Sequence, residues 1–531
     1  MATDLRNLPC ERRRVHCSAT KLSRREQGAC GWGRGCIVRR AMVMPPLSGD
    51  RSPGEPVADV RFPKALGALL LAGLGLALVP YAPGLEALRV KLPWMRDPAP
   101  ASTTAKEQEE SSPAAPVIPA PVVQDGEQAL PASENRAATT NALDDDAEAP
   151  SATDDEPAPV AIAHVEVLKP FYEALAHVRN KEPGAQVRIA HYGDSLVTSD
   201  YISGTMRRRL QARYGDAGHG FLLIANPWSW YFHNDVKHSA GESWRASRVV
   251  GPFAPDHRYG YGAVSFVGND GARASFGTVE RGPVGHAVSR FVVHYAQSPK
   301  GGDVFMKVDG RTVPSFNTRG PDGDPMAHVI EVEDGPHELD LRVGKNSQPR
   351  LFGVSMERST SGVIYDALGI NGARAKLLSK IDDEHWRAVF ALEKPNLIIL
   401  QYGTNESDDR LSEETYSAQV RTLVKKVKDA APGTPILVVA PLDRAEASGG
   451  KVPKSHPNIP RIVAVQERVS AEEGVAFWNT FQAMGGEGSF MRWQRLKPAL
   501  MSSDKVHPTP RGAEKLGLWL SSALMAGARE K

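Results

Sequence analysis

Cysteine is nearly absent from this chain: its 531 residues hold four, Cys10, Cys17, Cys30 and Cys36, all at one end. A core folded from the rest uses no disulfide, no thiol nucleophile and no thiolate metal site. The spacing C-x6-C-x12-C-x5-C lacks the close Cys-x2-Cys pair of a zinc site. His233, His238 and His257 show no ligand spacing either, so no metal and no organic cofactor is expected. A charge excess is also missing, with 64 Lys and Arg against 62 Asp and Glu. No patterned basic helix or strand stands out, which argues against a nucleic-acid partner.

That overall balance hides local bias. Residues 1–64 carry thirteen basic side chains against six acids, and residues 98–163 carry thirteen acids against two basic ones. Between them, residues 65–85 have no charge, and 65–79 are rich in Leu, Ala and Gly behind Arg51, Arg61 and Lys64. A run of about 20 apolar residues spans a bilayer, and basic residues ahead of it place the N-terminus in the cytoplasm. Residues 1–61 are thus read as a basic disordered tail and 62–85 as a membrane anchor. Residues 86–163, rich in Pro, Ala and acids, are read as a disordered linker that holds an extracytoplasmic head away from the membrane.

From residue 164 the pattern changes. Residues 165–179 read as an amphipathic helix, 186–192 as an apolar strand, and 201–214 as a further helix. Residues 226–355 then show short period-two runs at 263–267, 274–278, 290–295, 304–308, 328–332, 338–343 and 351–356. Asp270-Gly271, Asp309-Gly310 and Asp334-Gly335 separate such runs, as hairpin turns require. Alternation of helix and strand returns with helix 374–392, strand 396–402, helix 413–431, strand 435–441, helix 459–473, strand 475–479 and helix 510–528. The expected fold is an α/β, three-layer, flavodoxin-like domain in two parts, 164–225 and 356–531, with helices on both faces of a parallel sheet. A β-sandwich, 226–355, is inserted between the parts.

Four motifs fall at the expected strand ends: His191-Tyr-Gly-Asp-Ser195-Leu, Leu368-Gly-Ile-Asn-Gly372-Ala, Gln401-Tyr-Gly403-Thr-Asn405-Glu and Asp504-Lys-Val-His507-Pro. A serine hydroxyl needs a base, which His507 supplies near neutral pH. Asp504, three residues earlier, suits the other imidazole N–H. Each motif read by itself has a plainer meaning, since Asp194 or Ser195 also serves as a helix cap.

The four blocks together resemble those of SGNH (GDSL-type) hydrolases, named for their Ser, Gly, Asn and His. The resemblance covers 186–224 and 365–524 and leaves the insert outside. It implies a catalytic triad of Ser195, Asp504 and His507. It also implies an oxyanion hole formed by the Ser195 N–H, the Gly372 N–H and the Asn405 side-chain amide. Glu406 stands where many such enzymes have Asp, and with the insert it is similar to peptidoglycan O-acetylesterase-like envelope members. The implied function is hydrolysis of acyl esters, acetyl first, on a cell-envelope polysaccharide such as peptidoglycan, with the insert acting as a carbohydrate-binding-like module. An O-acyltransferase using the same triad, and a non-catalytic envelope-binding protein, remain open alternatives. Trp228 and Trp230 are candidates for a sugar-stacking wall, although such a cluster also suits a core. Arg207, Arg208 and Arg209 are expected on a solvated helix face.

Overall fold

The computed structural model describes residues 158–228, 230–446 and 453–529. The expected tail, the expected anchor and the linker up to residue 157 lie outside them. No helix among the described residues is long and apolar enough to cross a membrane. The last residues assigned to the linker belong to the folded part. Ala163 pairs with Phe477 through bonds of 2.8 and 3.0 Å, and Ile162 is buried.

Five apolar runs form one parallel sheet: β1 (Gln186–Gly193), β2 (Gly362–Gly369), β3 (Leu397–Gln401), β4 (Ile436–Val439) and β5 (Ala476–Trp478). Their spatial order is β2-β1-β3-β4-β5, the flavodoxin-like order. Side chains alternate across the sheet. Leu397, Ile399, Leu437 and Val439 face one core cluster with helices Lys169–Arg179, Tyr201–Tyr214 and Pro510–Arg529. Ile398, Leu400, Ile436 and Val438 face the other, with helices Asp383–Glu393, Glu413–Ala430 and Asn458–Glu473. Burial on both faces is why these strands read as unbroken apolar runs.

Two expected helices are interrupted. The first begins as a 3-10 turn, Val165–Leu168, and becomes α-helical at Lys169, with Pro170 in the first turn where its missing N–H costs nothing. The helix expected at 374–392 is two pieces, Ala375–Leu378 and Asp383–Glu393. The second piece restarts because the Asp382 carboxylate accepts the His385 N–H at 2.8 Å.

The insert consists of two antiparallel sheets. One orders strands Pro325–Gly335, Val288–Ala296, Arg350–Glu357, Val264–Gly268 and Trp244–Arg248, with Gly220–Leu223 also paired to Arg350–Glu357. The other orders Lys237–Ala240, Arg273–Gly277, Glu338–Val343, Asp303–Val308 and Arg311–Asn317. Phe266 and Tyr295 of the first sheet share a core with Phe276, Leu339 and Phe316 of the second, a sandwich arrangement. Antiparallel pairing begins at Gly220, ahead of the expected 226, because this short run zips the chain entering the insert against the chain leaving it. Only Asp309-Gly310 makes a hairpin, with φ of 50° and 74°. Asp270-Gly271 and Asp334-Gly335 instead precede crossings from one sheet to the other. Turn chemistry announces a reversal without naming the sheet that receives the next strand.

The insert and the parallel sheet share one apolar cluster, in which Phe221 and Tyr261 of the insert meet Tyr192, Trp386 and Phe390. They also share a buried charge cluster. Arg188 of β1 bonds Asp366 of β2 at 3.0 and 3.1 Å, pairs with Glu393 at 3.2 Å and reaches Glu357 of the insert. Removing one member of such a cluster leaves the others buried without a counter-charge. Arg188→Met should therefore lower the free energy of unfolding by about 3–5 kcal/mol, read from the urea midpoint. A loss below about 1 kcal/mol would show that the carboxylates find water or protons instead.

Candidate active site

The carboxyl edge of the parallel sheet carries all four blocks. After β1 the chain enters the short helix Ser195–Thr198, and the Asp194 carboxylate caps it by accepting the Leu196 N–H at 3.0 Å. The capping reading thus applies to Asp194 and leaves the Ser195 hydroxyl to other partners. Helix Tyr201–Tyr214 follows, while helix Pro510–Arg529 follows His507, and the two pack on each other. Gly517 permits the approach: a Cβ there would meet Ile202 O at 2.7 Å and Thr205 Cβ at 2.8 Å.

This packing brings Ser195 Oγ to 2.8 Å from His507 Nε2, and His507 Nδ1 lies 2.8 Å from Asp504 Oδ2. Because the carboxylate accepts, Nδ1 carries the proton and Nε2 takes the serine O–H. The three-residue spacing has a structural cause. Asp504 Oδ1 accepts the Val506 and His507 N–H groups at 2.9 and 3.0 Å and the Ser502 hydroxyl at 2.6 Å, holding the turn while Oδ2 holds the imidazole. Burial alone would raise the Asp504 pKa, but His507 and these donors outweigh it and hold the carboxyl well below its usual range. Ser195 and His507 are 3% and 5% exposed, so the dyad is almost closed to water.

Gly372 and Asn405 lie on neighbouring loops. Ile370 N–H donates to Gly193 O at 2.9 Å, which ties the loop after β2 to the end of β1. Gly372 has φ of 69°, a conformation open to glycine. Asn405 spends one amide hydrogen on Ala373 O at 2.9 Å and has a second to offer. Neither the Ser195 nor the Gly372 N–H meets an acceptor among the described residues. Two backbone donors and one side-chain donor are therefore available, as stabilisation of a developing oxyanion requires.

The two tryptophans separate. Trp228 is 7% exposed, with the Arg248 guanidinium 6.0 Å from its ring centroid, and it belongs to the core. Its ring is taken up by packing and leaves no stacking face. Trp230 is half-buried and meets His507 edge-on, with centroids 6.2 Å apart. His191, in the first block, is buried between Tyr365 and Gln401, each at 2.9 Å. Burial pushes its pKa down to about 4, so it is a neutral strut between strands.

The expected solvated arginines are buried. Arg207, Arg208 and Arg209 are 0%, 8% and 3% exposed. Arg207 pairs with Asp200 at 2.7 Å and bonds Asn234 O at 2.9 Å, and Arg208 grips Asp235 through Nε at 2.9 Å. Asp200 stands just ahead of the same helix, while Asn234 and Asp235 lie on another segment, invisible to a reading of one helix. Asp200 also accepts the Asn234 N–H at 2.9 Å, and Phe232 N–H donates to Thr198 O at 3.2 Å. The segment bearing Trp230 is thereby pinned to the nucleophile's own helix.

Residues 335–515 match the GDSL-like Lipase/Acylhydrolase family, a range that includes Gly372, Asn405, Asp504 and His507 but stops short of Ser195. Among solved structures, a peptidoglycan O-acetylesterase is 21% identical with a TM-score of 0.57, over 68% of this chain and 97% of that one. A family two carbohydrate esterase from Cellvibrio japonicus is 12% identical with a TM-score of 0.23, over 55% of this chain and 98% of that one. No curated protein matches the chain. The first structure establishes a shared fold. If Asn405 supplies an oxyanion donor, Asn405→Ala should lower kcat on a small acyl ester by about 10²–10³ with little change in KM. A KM effect alone would assign it to ground-state binding.

Proposed function

We propose that this chain, which carries a GDSL-like lipase/acylhydrolase domain, is a serine esterase that removes O-acetyl groups from a cell-envelope polysaccharide. The observation that carries the reading is the hydrogen-bonded chain Ser195–His507–Asp504 at the carboxyl edge of the sheet. Ser195 Oγ attacks the acetyl carbonyl as His507 Nε2 takes its proton, and Asp504 stabilises the imidazolium. The carbonyl oxygen becomes an oxyanion that faces the Ser195 and Gly372 N–H groups and the Asn405 amide. Collapse expels the sugar hydroxyl, which leaves with the proton from His507. Water, deprotonated by the same nitrogen, then releases acetate and regenerates the serine. No step requires a metal.

Substrate class rests on different support. A fold shared with a peptidoglycan O-acetylesterase makes acetylated peptidoglycan the first polymer to try. The uncharged run 65–85 behind basic residues supports a tethered, extracytoplasmic head. Full-length protein should release acetate from O-acetylated peptidoglycan faster than from O-acetylated xylan, and Ser195→Ala should abolish the release. Release from neither polymer would sink the polysaccharide reading. Appearance of acetyl on an added sugar in place of free acetate would make the protein a transferase.

Trp230 gives a second test, since a half-buried aromatic ring beside the base is placed to meet a sugar ring. Trp230→Ala should raise KM for the polymer by about tenfold, the worth of one stacking contact, and leave KM for p-nitrophenyl acetate within about twofold. Equal losses on both esters would assign Trp230 to support of His507.

A further inference from the structure

Two loops would present the oxyanion donors, the one after β2 with Gly372 and the one after β3 with Asn405. Three bonds hold them together. Asn405 Nδ2 donates to Ala373 O at 2.9 Å, and Arg374 Nε donates to Asp409 Oδ2 at 2.9 Å. The third runs through Glu406, a carboxyl group 2% exposed that has no part in the acyl-transfer steps. Its Oε1 accepts the Ala375 N–H at 2.7 Å, and its Oε2 accepts the Gly403 N–H at 3.1 Å. One side chain thus satisfies an amide on each loop, on either side of the groups that would bind the oxyanion.

The chemistry of this bridge is specific to a carboxylate. Two backbone N–H groups converge on it, and only an ionised carboxyl offers an acceptor oxygen to each. A carboxamide of the same length would turn an NH2 group towards one of the two donors. A shorter carboxylate lacks a methylene of reach. We propose that Glu406 is a positioning residue for the oxyanion site: by accepting the Ala375 and Gly403 amides together, it fixes the spacing between the Gly372 N–H and the Asn405 amide. This inference rests on the esterase reading above.

The surroundings of Glu406 add a pH dependence. Burial raises its pKa, the bonds from backbone amides and the charge of Arg374 oppose that, and Asp194 adds to it, with the result pushed up to about 7. Tyr402 and Tyr416 also face it, both held neutral by burial. As pH falls through about 7 the carboxyl takes a proton and loses one of its two acceptor sites, so the bridge weakens on the acid side. The acid limb of kcat/KM in wild type should therefore carry a component that follows Glu406.

The test is made in the full-length protein with p-nitrophenyl acetate. Glu406→Gln should lower kcat roughly 10- to 100-fold, as expected for donors displaced by less than an ångström, with KM within about twofold of wild type. Its acid limb should lose the component that follows Glu406, and amide hydrogen exchange at Ala375 and Gly403 should quicken. Ala375→Pro removes the same bond from the other partner. Proline is suited to the first residue of helix Ala375–Leu378, and Arg374 before it is already extended, at φ −124° and ψ 148°. This variant should reproduce the kcat loss and keeps the proposal testable if Glu406→Gln fails to fold. Unchanged kcat in either folded variant, or an acid limb that Glu406→Gln leaves unaltered, would overturn the proposal. Wild-type turnover that survives Ser195→Ala would overturn the esterase reading as well, which separates the two failures.

Discussion

The hydrogen bond between Ser195 Oγ and His507 Nε2 joins side chains 312 residues apart, and its 2.8 Å length depends on helix packing remote from the bond itself. Each residue sits just ahead of a long helix, Tyr201–Tyr214 and Pro510–Arg529, and those helices pack directly on each other. A larger residue at Gly517 would push them apart through Ile202 and Thr205, and the nucleophile and its base would separate with them. The hydrogen bond is therefore set by two rigid elements, and the Asp504 turn adds only the orientation of the ring. Reactive groups held this way need little reorganisation when substrate arrives.

The insert matters to the site in spite of lying outside the four blocks. Its first segment, pinned by Asp200 and Arg207, sets Trp230 against His507. Strand Gly220–Leu223 zips to Arg350–Glu357, so the chain leaves and rejoins the parallel sheet at one place. Gly220, at φ 93°, lies so close to Asp366 that a Cβ would stand 2.4 Å from its carboxylate, and Phe221 N–H donates to the same group at 2.8 Å. Through Asp366 this junction is joined to Arg188, Glu357 and Glu393. The insert is thus built into the core of the domain, which explains how more than a hundred residues separate two adjacent strands, β1 and β2, without loosening their register.

The site was more legible in the sequence than its supports were, for a physical reason. Ser195, Gly372, Asn405, Asp504 and His507 each need a particular residue type at a strand or helix end, so local pattern and chemistry coincide. Arg207 and Arg208 illustrate the opposite case. Three consecutive arginines on a helix read as a wet face, yet Arg207 folds back on Asp200, just ahead of the same helix, and Arg207 and Arg208 both meet Asp235 of a segment that only the tertiary fold brings near. Strand Gly220–Leu223 was hidden because it is buried throughout and lacks alternation. The family match begins at residue 335 and so misses Ser195, since the insert divides what is otherwise one continuous domain.

A division of labour among the carboxylates follows from burial and donor count. Asp504 collects the His507 imidazole, two amides and a hydroxyl, and this surplus of donors keeps it ionised in spite of burial. Glu406, with two amides and an Arg374 that is paired with Asp409, sits much nearer neutrality. Asp200 lies between these cases, with Arg207 supplying the charge that burial would otherwise deny it. The acid that would stay charged beside the base is held by four donors. The acid that spans the two loops has only enough donors to define a shape, so its charge is free to follow pH.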